Sequence, residues 1–257
     1  MWKFHIKSLR QYANHFLDRS RLGRKEMKTA DKKRHNKSLQ QTAMKEKHLP
    51  YFKVLDSFNA KECPICFLMR SGIEKYFDSL LYENINNASF RKKFRDNHGF
   101  CNYHSYQFLG YNDGLAISLT HRELLIDMIE RLEAKSIKYP SRKKSDMCIV
   151  CELSKETEVR HISVMIEYLD DKEFKSKLLA SEGLCIPHYE MLSAQIKVLP
   201  KWFADFHIKR YKEVLGKLDK YLDNCNFSLG DKRPLLAYDE QLIWKKTVKI
   251  LFGFEGK

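Results

Sequence analysis

The chain carries one set of cysteine and histidine residues twice. A Cys-x-x-Cys pair is followed by a Cys-x-x-His pair 35 residues later in the first copy and 34 residues later in the second. The eight residues are Cys63, Cys66, Cys101 and His104 in the first copy, and Cys148, Cys151, Cys185 and His188 in the second. A pattern that recurs at a fixed period predicts two copies of one structural unit, here named the first and the second repeat.

The residues around these pairs recur as well. With an offset of 84 residues the copies align at six further positions: Phe90 with Phe174, Lys93 with Lys177, Phe94 with Leu178, Gly99 with Gly183, Phe100 with Leu184, and Phe108 with Leu192. The glycine before each Cys-x-x-His pair is suited to ending a helix in the left-handed conformation before a new helix begins. The two repeats are therefore expected to fold alike.

Apolar residues recur at helical spacing along the chain, and strand signals are absent. Each repeat is predicted to contain a helix after the Cys-x-x-Cys pair, a short helix at about 88–97 or 171–181, and a long helix after the Cys-x-x-His pair. Thr120 and Glu123 have the spacing of a capping box, which predicts a helix start at that point. The expected fold is all-α, with two helical repeats and a C-terminal helix at 236–252.

Three segments are expected along the chain. Residues 1–43 form an extension with 12 Lys and Arg against three acidic residues, a net charge of +9, whereas the rest of the chain carries +5. Because the stretch from 18 to 47 has few aromatic or β-branched residues, it is predicted to be disordered. Residues 44–140 hold the first repeat, and residues 141–257 hold the second repeat and the C-terminal helix, with a linker at 135–146. Alternatively, translation starts at Met44, and residues 1–43 do not belong to the native product.

The paired residues have the chemistry of metal ligands. Side chains at positions i and i+3 lie on one side of a helical turn, so each pair can converge on a single ion. Two pairs supply three thiolates and one imidazole, which is a common tetrahedral set for structural zinc. We therefore predict two zinc ions. Each repeat is expected to close its own site, and an exchange of pairs between the repeats is the alternative.

The cysteines also allow other interpretations. An iron–sulfur cluster can also use three cysteines and one histidine. A thioredoxin-like redox role for the Cys63-Pro-Ile-Cys66 motif lacks the strand that should precede it, and six buried core thiols would not explain the duplicated spacing. The seventh cysteine, Cys225, is expected to be a partly buried thiol outside both sites.

Composition and motifs narrow the class of protein. No apolar run approaches the roughly 18 residues that a membrane-spanning helix requires, so no membrane partner is expected. A secretory signal is not found, and the regularly spaced cysteines suit a reducing cytoplasm. No phosphate-binding loop, catalytic triad or pair of catalytic carboxylates is found. The chain is therefore not expected to be an enzyme, and no small-molecule substrate is evident.

The Cys63-Pro-x-Cys66 and Gly99-x-Cys101-x-x-His104 motifs, their second copies, and the C-terminal helix from Trp244 to Gly253 resemble a family of uncharacterised prokaryotic proteins defined only as a domain of unknown function. The resemblance covers roughly residues 46–254. It implies metal binding but no activity. The chain departs from the expected pattern at Cys148-Ile-Val-Cys151, which lacks the proline, and in its long basic extension.

The sequence is compatible with two functions. The first is a non-enzymatic, zinc-stabilised module that binds a macromolecule, either a protein or, through the basic extension, a nucleic acid. Tyr103, Tyr106, Phe108 and Tyr111 could stack on bases, although their helical spacing is also typical of a core. The second is a redox-active or iron–sulfur protein that uses the same cysteines and histidines.

Overall fold

The computed structural model describes residues 47–134, 148–225 and 235–255, and these residues form helices connected by turns. Within the described ranges the order is α1 (Leu49–Ser57), α2 (Pro64–Ser79) with a π-helical turn at Leu80–Asn84, α3 (Ala88–Asp96), α4 (Asn102–Leu109), α5 (Gly114–Glu133), α6 (Ile149–Glu167), α7 (Lys172–Ala180), α8 (Ile186–Ser193), α9 (Lys201–Asn224), α10 (Tyr238–Gln241) and α11 (Ile243–Phe252). The predicted all-α fold is confirmed. The basic extension and the predicted linker lie outside the described residues.

Helices α6 to α9 follow one another in the same order and with similar lengths as α2 to α5. The short helices α3 and α7 have nine residues each, and the predictions for them are confirmed. Each short helix begins at a side-chain cap, because Asn87 accepts from the backbone N–H of Ser89 and Asp171 accepts from that of Phe174. Such caps satisfy N–H groups that have no partner within the helix. The same local chemistry therefore sets the helix start in both repeats.

The most extensive helix contact in the described part of the chain is between α2 and α6. A Cβ atom placed on Gly72 in α2 would lie 3.6 Å from Thr157 Oγ1 in α6. The offset of 85 residues between these two positions is also the offset between Cys63 and Cys148. Equivalent residues of the two repeats thus face each other at the crossing, as a local two-fold axis requires.

Helices α2 and α6 cross in antiparallel orientation. Cys148, which precedes α6, lies near Tyr76 towards the end of α2: burial raises the pKa of Tyr76 to about 12, and the charge of Cys148 adds to this effect. Each of the two apolar cores consequently mixes residues of both repeats. Ile65 and Met69 of α2 belong to one core together with Ile162 of α6, and Phe77 of α2 belongs to the other together with Val150.

Helix α5 and the C-terminal helix both differ from the prediction. Helix α5 begins at Gly114, because the Asp113 side chain caps it by accepting from the Ala116 N–H. Thr120 is buried inside this helix, where its hydroxyl donates to the Ala116 carbonyl, so the predicted capping box is wrong. The predicted single C-terminal helix is in fact two helices, α10 and α11, which both pack against α9.

A search of the described residues finds no helix with the length and apolar character that a membrane span requires.

A glycine in the left-handed region precedes each Cys-x-x-His pair, as predicted. Gly99 has φ +76° and Gly183 has φ +74°. A Cβ atom on Gly183 would lie 3.2 Å from the Phe206 ring and 3.3 Å from His207, which accepts the Leu184 N–H through Nε2. The conformation and the close packing both favour glycine at this turn.

We predict that Gly183→Ala lowers the free energy of unfolding by about 1–3 kcal/mol, because a side chain is strained at this φ and crowds His207. Gly216→Ala is the matched control: Gly216 lies in helix α9 with open space around its Cβ position, so alanine should raise stability by about 1 kcal/mol. Urea unfolding of the metal-loaded proteins measures both changes. Equal stability of the two variants would contradict the role given to Gly183.

Candidate metal centres

The eight cysteine and histidine residues predicted as ligands meet in two clusters. Centre 1 consists of Cys63, Cys66, Cys185 and His188, and centre 2 consists of Cys101, His104, Cys148 and Cys151. Within each centre the sulfur and nitrogen atoms that could bind an ion all lie within 4.8 Å of one another. Cys225 is exposed, contrary to the partial burial expected for it.

The expectation that each repeat closes its own site is wrong: both centres combine a Cys-x-x-Cys pair from one repeat with a Cys-x-x-His pair from the other. The reason is the length of α2, whose 16 residues span about 24 Å. Cys66 lies at one end of this helix, and the chain reaches Cys101 only after leaving the other end. Because α6 runs antiparallel to α2, α6 ends beside the start of α2. Helices α7 and α8 follow α6 and therefore lie near the start of α2. The Cys-x-x-His pair of the second repeat therefore arrives there.

All eight side chains of the two centres lie at the N-terminal ends of helices. Cys63, Cys101, Cys148 and Cys185 each occupy the N-cap of a helix, and the second residue of each pair lies in the first turn. The positive end of a helix dipole and its free N–H groups favour a thiolate over a thiol. Each centre therefore joins the N-terminal ends of two helices, α2 with α8 and α6 with α4.

Distances in centre 1 match the edges of a tetrahedron around one ion. His188 Nδ1 lies 3.3 Å from Cys63 Sγ, 3.4 Å from Cys66 Sγ and 3.0 Å from Cys185 Sγ. The sulfurs of Cys66 and Cys185 are 3.7 Å apart. Tetrahedral zinc with ordinary bond lengths requires about 3.8 Å between sulfurs and about 3.5 Å between sulfur and nitrogen.

Centre 2 has the same geometry. His104 Nδ1 lies 3.1 Å from Cys101 Sγ, 3.6 Å from Cys148 Sγ and 3.3 Å from Cys151 Sγ. The sulfurs of Cys101 and Cys151 are 3.6 Å apart. Both histidines thus turn Nδ1 towards the sulfurs. The two centres differ in exposure, because Cys101 and Cys151 are only half-buried whereas all four side chains of centre 1 are buried.

The thiols of each centre affect one another's ionisation. Hydrogen bonding to Cys151 lowers the pKa of Cys148 to about 3, although burial opposes this. Hydrogen bonding to Cys148 in turn raises the pKa of Cys151. In centre 1, hydrogen bonding to Cys185 and then to Cys63 raises the pKa of Cys66. Crowded thiolates repel each other, so a bound cation is needed for all three thiols of a centre to ionise together.

Glu158 contacts a residue of centre 1 and was not predicted from the sequence as part of the site. Its buried carboxylate lies in helix α6, with Oε1 2.9 Å from His188 Nε2. A carboxylate that accepts the second N–H of a histidine ligand fixes the ring orientation and makes the other nitrogen a better ligand. The signal in the sequence was a charged residue on the apolar face of α6, four residues before Ile162 and seven before Met165.

The corresponding position in the first repeat is Ile73, 85 residues earlier, which is buried in α2 and whose side chain has no hydrogen-bond acceptor. The two centres therefore differ in their surroundings although their ligand types are the same. Glu158 supports centre 1, and the isoleucine at the equivalent place gives centre 2 no such support.

The C-terminal segment approaches both centres. A Cβ atom on Gly253, which has φ +76°, would lie 3.3 Å from Cys185 Sγ and 3.9 Å from Cys66 Sγ. Phe254 packs against both apolar cores. Glu255 lies near Tyr103, whose pKa is raised first by burial and then by the charges of Glu255 and Cys101. Three consecutive residues thus extend from the thiols of centre 1 towards the helix start of centre 2.

The aromatic residues near centre 2 divide between the core and the surface. Phe108 is fully buried and stacks on Phe77, so it belongs to the core. Tyr106 is 68% exposed, and Tyr103 and Tyr111 are half-buried. Of the four candidates for base stacking, Phe108 is therefore unavailable.

Comparison with known proteins gives a family and a relative, both without a described activity. Residues 44–224, which include all eight residues of the centres, match the model of a family described as "Family of unknown function (DUF6062)". An "uncharacterized 23.9 kDa protein in xynA 3'region" from Caldicellulosiruptor sp. (strain Rt8B.4) is 26% identical over 212 residues, covering 78% of this chain and 99% of the relative. No solved structure is significantly similar to the chain.

We predict that Glu158→Gln lowers the affinity of centre 1 for zinc, used as the probe ion, about tenfold, because the charge that orients and polarises His188 is removed while the shape is kept. Glu156→Gln, at an exposed position in the same helix, is the matched control and should change nothing. Competition with a chromophoric chelator measures the affinity of each site. A loss of equal size in both centres, or no loss at all, would show that Glu158 does not act through His188.

Proposed function

Since the chain belongs to the DUF6062 family, whose function is unknown, we propose a function from its own two centres: a non-enzymatic protein in which two structural zinc ions lock one repeat onto the other. The observation that carries this proposal is the composition of each centre, with three sulfurs and one imidazole nitrogen drawn from both repeats. The residues present fit zinc, because soft thiolates and imidazole in a tetrahedral arrangement are the ligands that this ion prefers.

The distances favour a single ion over an iron–sulfur cluster. In a cluster the protein ligands bind two or four irons that are separated by bridging sulfides, so the ligands surround the whole cluster. The four ligand atoms of each centre are all within 4.8 Å of one another, which leaves room for one ion. The spacing therefore favours a single ion over an iron–sulfur cluster, and the choice of zinc rests on the ligand types.

A structural role follows from the number of ligands. Four protein ligands complete the tetrahedral shell, whereas catalytic zinc keeps one position for water or substrate. An ion in centre 1 would tie α2 to α8, and an ion in centre 2 would tie α6 to α4. Binding of structural zinc contributes on the order of 10 kcal/mol to small domains. Here that free energy would oppose the separation of the two repeats.

The rigid helical body is proposed to serve as a module that binds a macromolecule. Exposed apolar side chains on α9, namely Ile208, Leu215 and Leu222, support a protein partner, since apolar patches on a protein surface often mark contacts. A nucleic acid partner would depend on the basic residues of 1–43, together with exposed aromatic residues such as Tyr106. The free cysteines suit a reducing compartment.

A redox function is the second candidate, because one pair of sulfurs in each centre bridges the repeats at close range. Cys66 and Cys185 are 3.7 Å apart, and Cys101 and Cys151 are 3.6 Å apart. A two-electron oxidant of the peroxide class could convert such a pair to a disulfide, with release of the ion and reduction of the oxidant to water. Under this alternative the zinc thiolates are labile, whereas under the structural proposal they persist in mild oxidant.

Elemental analysis of the anaerobically purified chain should find two zinc ions, and the protein should be colourless. A brown protein with iron and sulfide would contradict the proposal. Cys225→Ser, at an exposed position outside both centres, is the control and should keep both ions.

Pairs of substitutions test which residues share an ion. Serine ionises far less readily than cysteine and cannot replace a thiolate ligand at neutral pH, so each affected centre should lose its metal. Cys63→Ser combined with Cys185→Ser should cost one ion, because both residues belong to centre 1. Cys63→Ser combined with Cys101→Ser should cost both ions. The reverse result would mean that each repeat closes its own site.

A further inference from the structure

Helix α5 presents an apolar strip to solvent. The strip, named the α5 seam, consists of Leu125, Ile126, Ile129 and Leu132, which are 64%, 36%, 48% and 65% exposed. The opposite side of the helix faces the protein through Ala116 and Thr120, and the principal neighbour of α5 is α3. The seam is therefore additional to the face that already packs on the core.

The seam has a counterpart on helix α9 of the second repeat, and the two strips differ in how far other helices cover them. With an offset of 86 residues, Leu125 corresponds to Tyr211, Ile129 to Leu215, and Leu132 to Leu218. Helix α9 packs against α10 and α11, and Tyr211 and Leu218 are half-buried. Three of the four seam positions are thus apolar or aromatic on both long helices, whereas Ile126 corresponds to Lys212. Helix α9 is partly covered by helices of its own chain, whereas Leu125 and Leu132 of α5 lie open.

The charges at the two ends of the seam are opposite. Arg122 lies one turn before Leu125, and Glu133 follows Leu132, so the two charges stand about 16 Å apart along the helix. Neighbouring charges are paired within the chain: Glu123 lies 3.6 Å from Arg91, and Arg131 lies 2.9 Å from Asp127. Among the described residues, Arg122 and Glu133 form no such ion pair and are exposed.

We propose that α5 pairs with α5 of a second copy of this chain in antiparallel orientation. Residues 122, 125, 129 and 132 alternate by three and four positions, which is the spacing of a coiled-coil seam. In an antiparallel pair Leu125 lies opposite Ile129 of the second copy, and Arg122 lies opposite Leu132, next to Glu133. A parallel pair would instead place like charges side by side. The charge pattern therefore selects the antiparallel arrangement and a self-complementary interface.

The expected dimer is weak. Only three apolar side chains of each copy, Leu125, Ile129 and Leu132, lie at the seam positions of the pair, so its area falls below the roughly 1,600 Å² of a standard stable interface. A dissociation constant in the micromolar range or above is consistent with such a contact. The pairing would present two copies of the zinc-stabilised body to a partner, although it does not depend on the metal proposal.

Sedimentation velocity of the full metal-loaded chain over a concentration series tests the pairing. Leu125→Lys combined with Ile129→Lys should raise the dissociation constant at least tenfold. Leu215→Lys, at the exposed position of α9 that corresponds to Ile129, is the matched control and should leave the dimer unchanged. Metal content and circular dichroism confirm that each variant is folded.

Charge reversal tests the orientation. Arg122→Glu alone and Glu133→Arg alone should each weaken the dimer several-fold, and the double variant should restore it, because each arginine again meets a glutamate of the second copy. A monomer at every concentration, an effect of Leu215→Lys equal to that of the α5 variants, or a double variant weaker than both single variants would overturn the proposal.

Discussion

The antiparallel crossing of α2 and α6 is the interaction on which the rest of the structure depends. It places the start of each helix beside the end of the other, and each start carries a Cys-x-x-Cys pair. Both apolar cores are built from residues of the two helices. Because Gly72 of α2 faces Thr157 of α6 at their equivalent positions, the helices approach where little side-chain bulk separates them. Any change in this crossing would alter both centres together.

Much of the arrangement could be predicted from local sequence, because its causes are local. The residues that meet in the two centres follow from their spacing, the short helices from their flanking turns, and Gly99 and Gly183 from the need for a left-handed residue before a new helix. The pairing of ligands could not be predicted in this way, since it depends on how α2 and α6 cross. The length of α2 bears on this pairing, because the helix carries the chain about 20 Å from Cys66 to Ser79 before it turns back towards Cys101.

The two repeats differ at corresponding positions near the centres and on the long helices. Glu158 supports His188 in centre 1, whereas its counterpart Ile73 fills an apolar core. Helix α9 is packed against α10 and α11, and α5 keeps an exposed apolar strip. The C-terminal segment adds a further difference, because Gly253 fits closely against the thiols of centre 1. The fold thus combines two centres of the same ligand type with different burial and support.

Cleavage of the metal-loaded chain between residues 134 and 148, followed by native mass spectrometry, tests most directly whether each ion joins both repeats. A protease site introduced in this segment allows the backbone between the two repeats to be cut, and all eight residues of the two centres stay intact. We expect the two fragments to stay together as one complex with two zinc ions, and we expect a chelator to weaken their association, since the apolar cores shared by both repeats remain. Two free fragments that each retain one zinc ion would contradict this expectation.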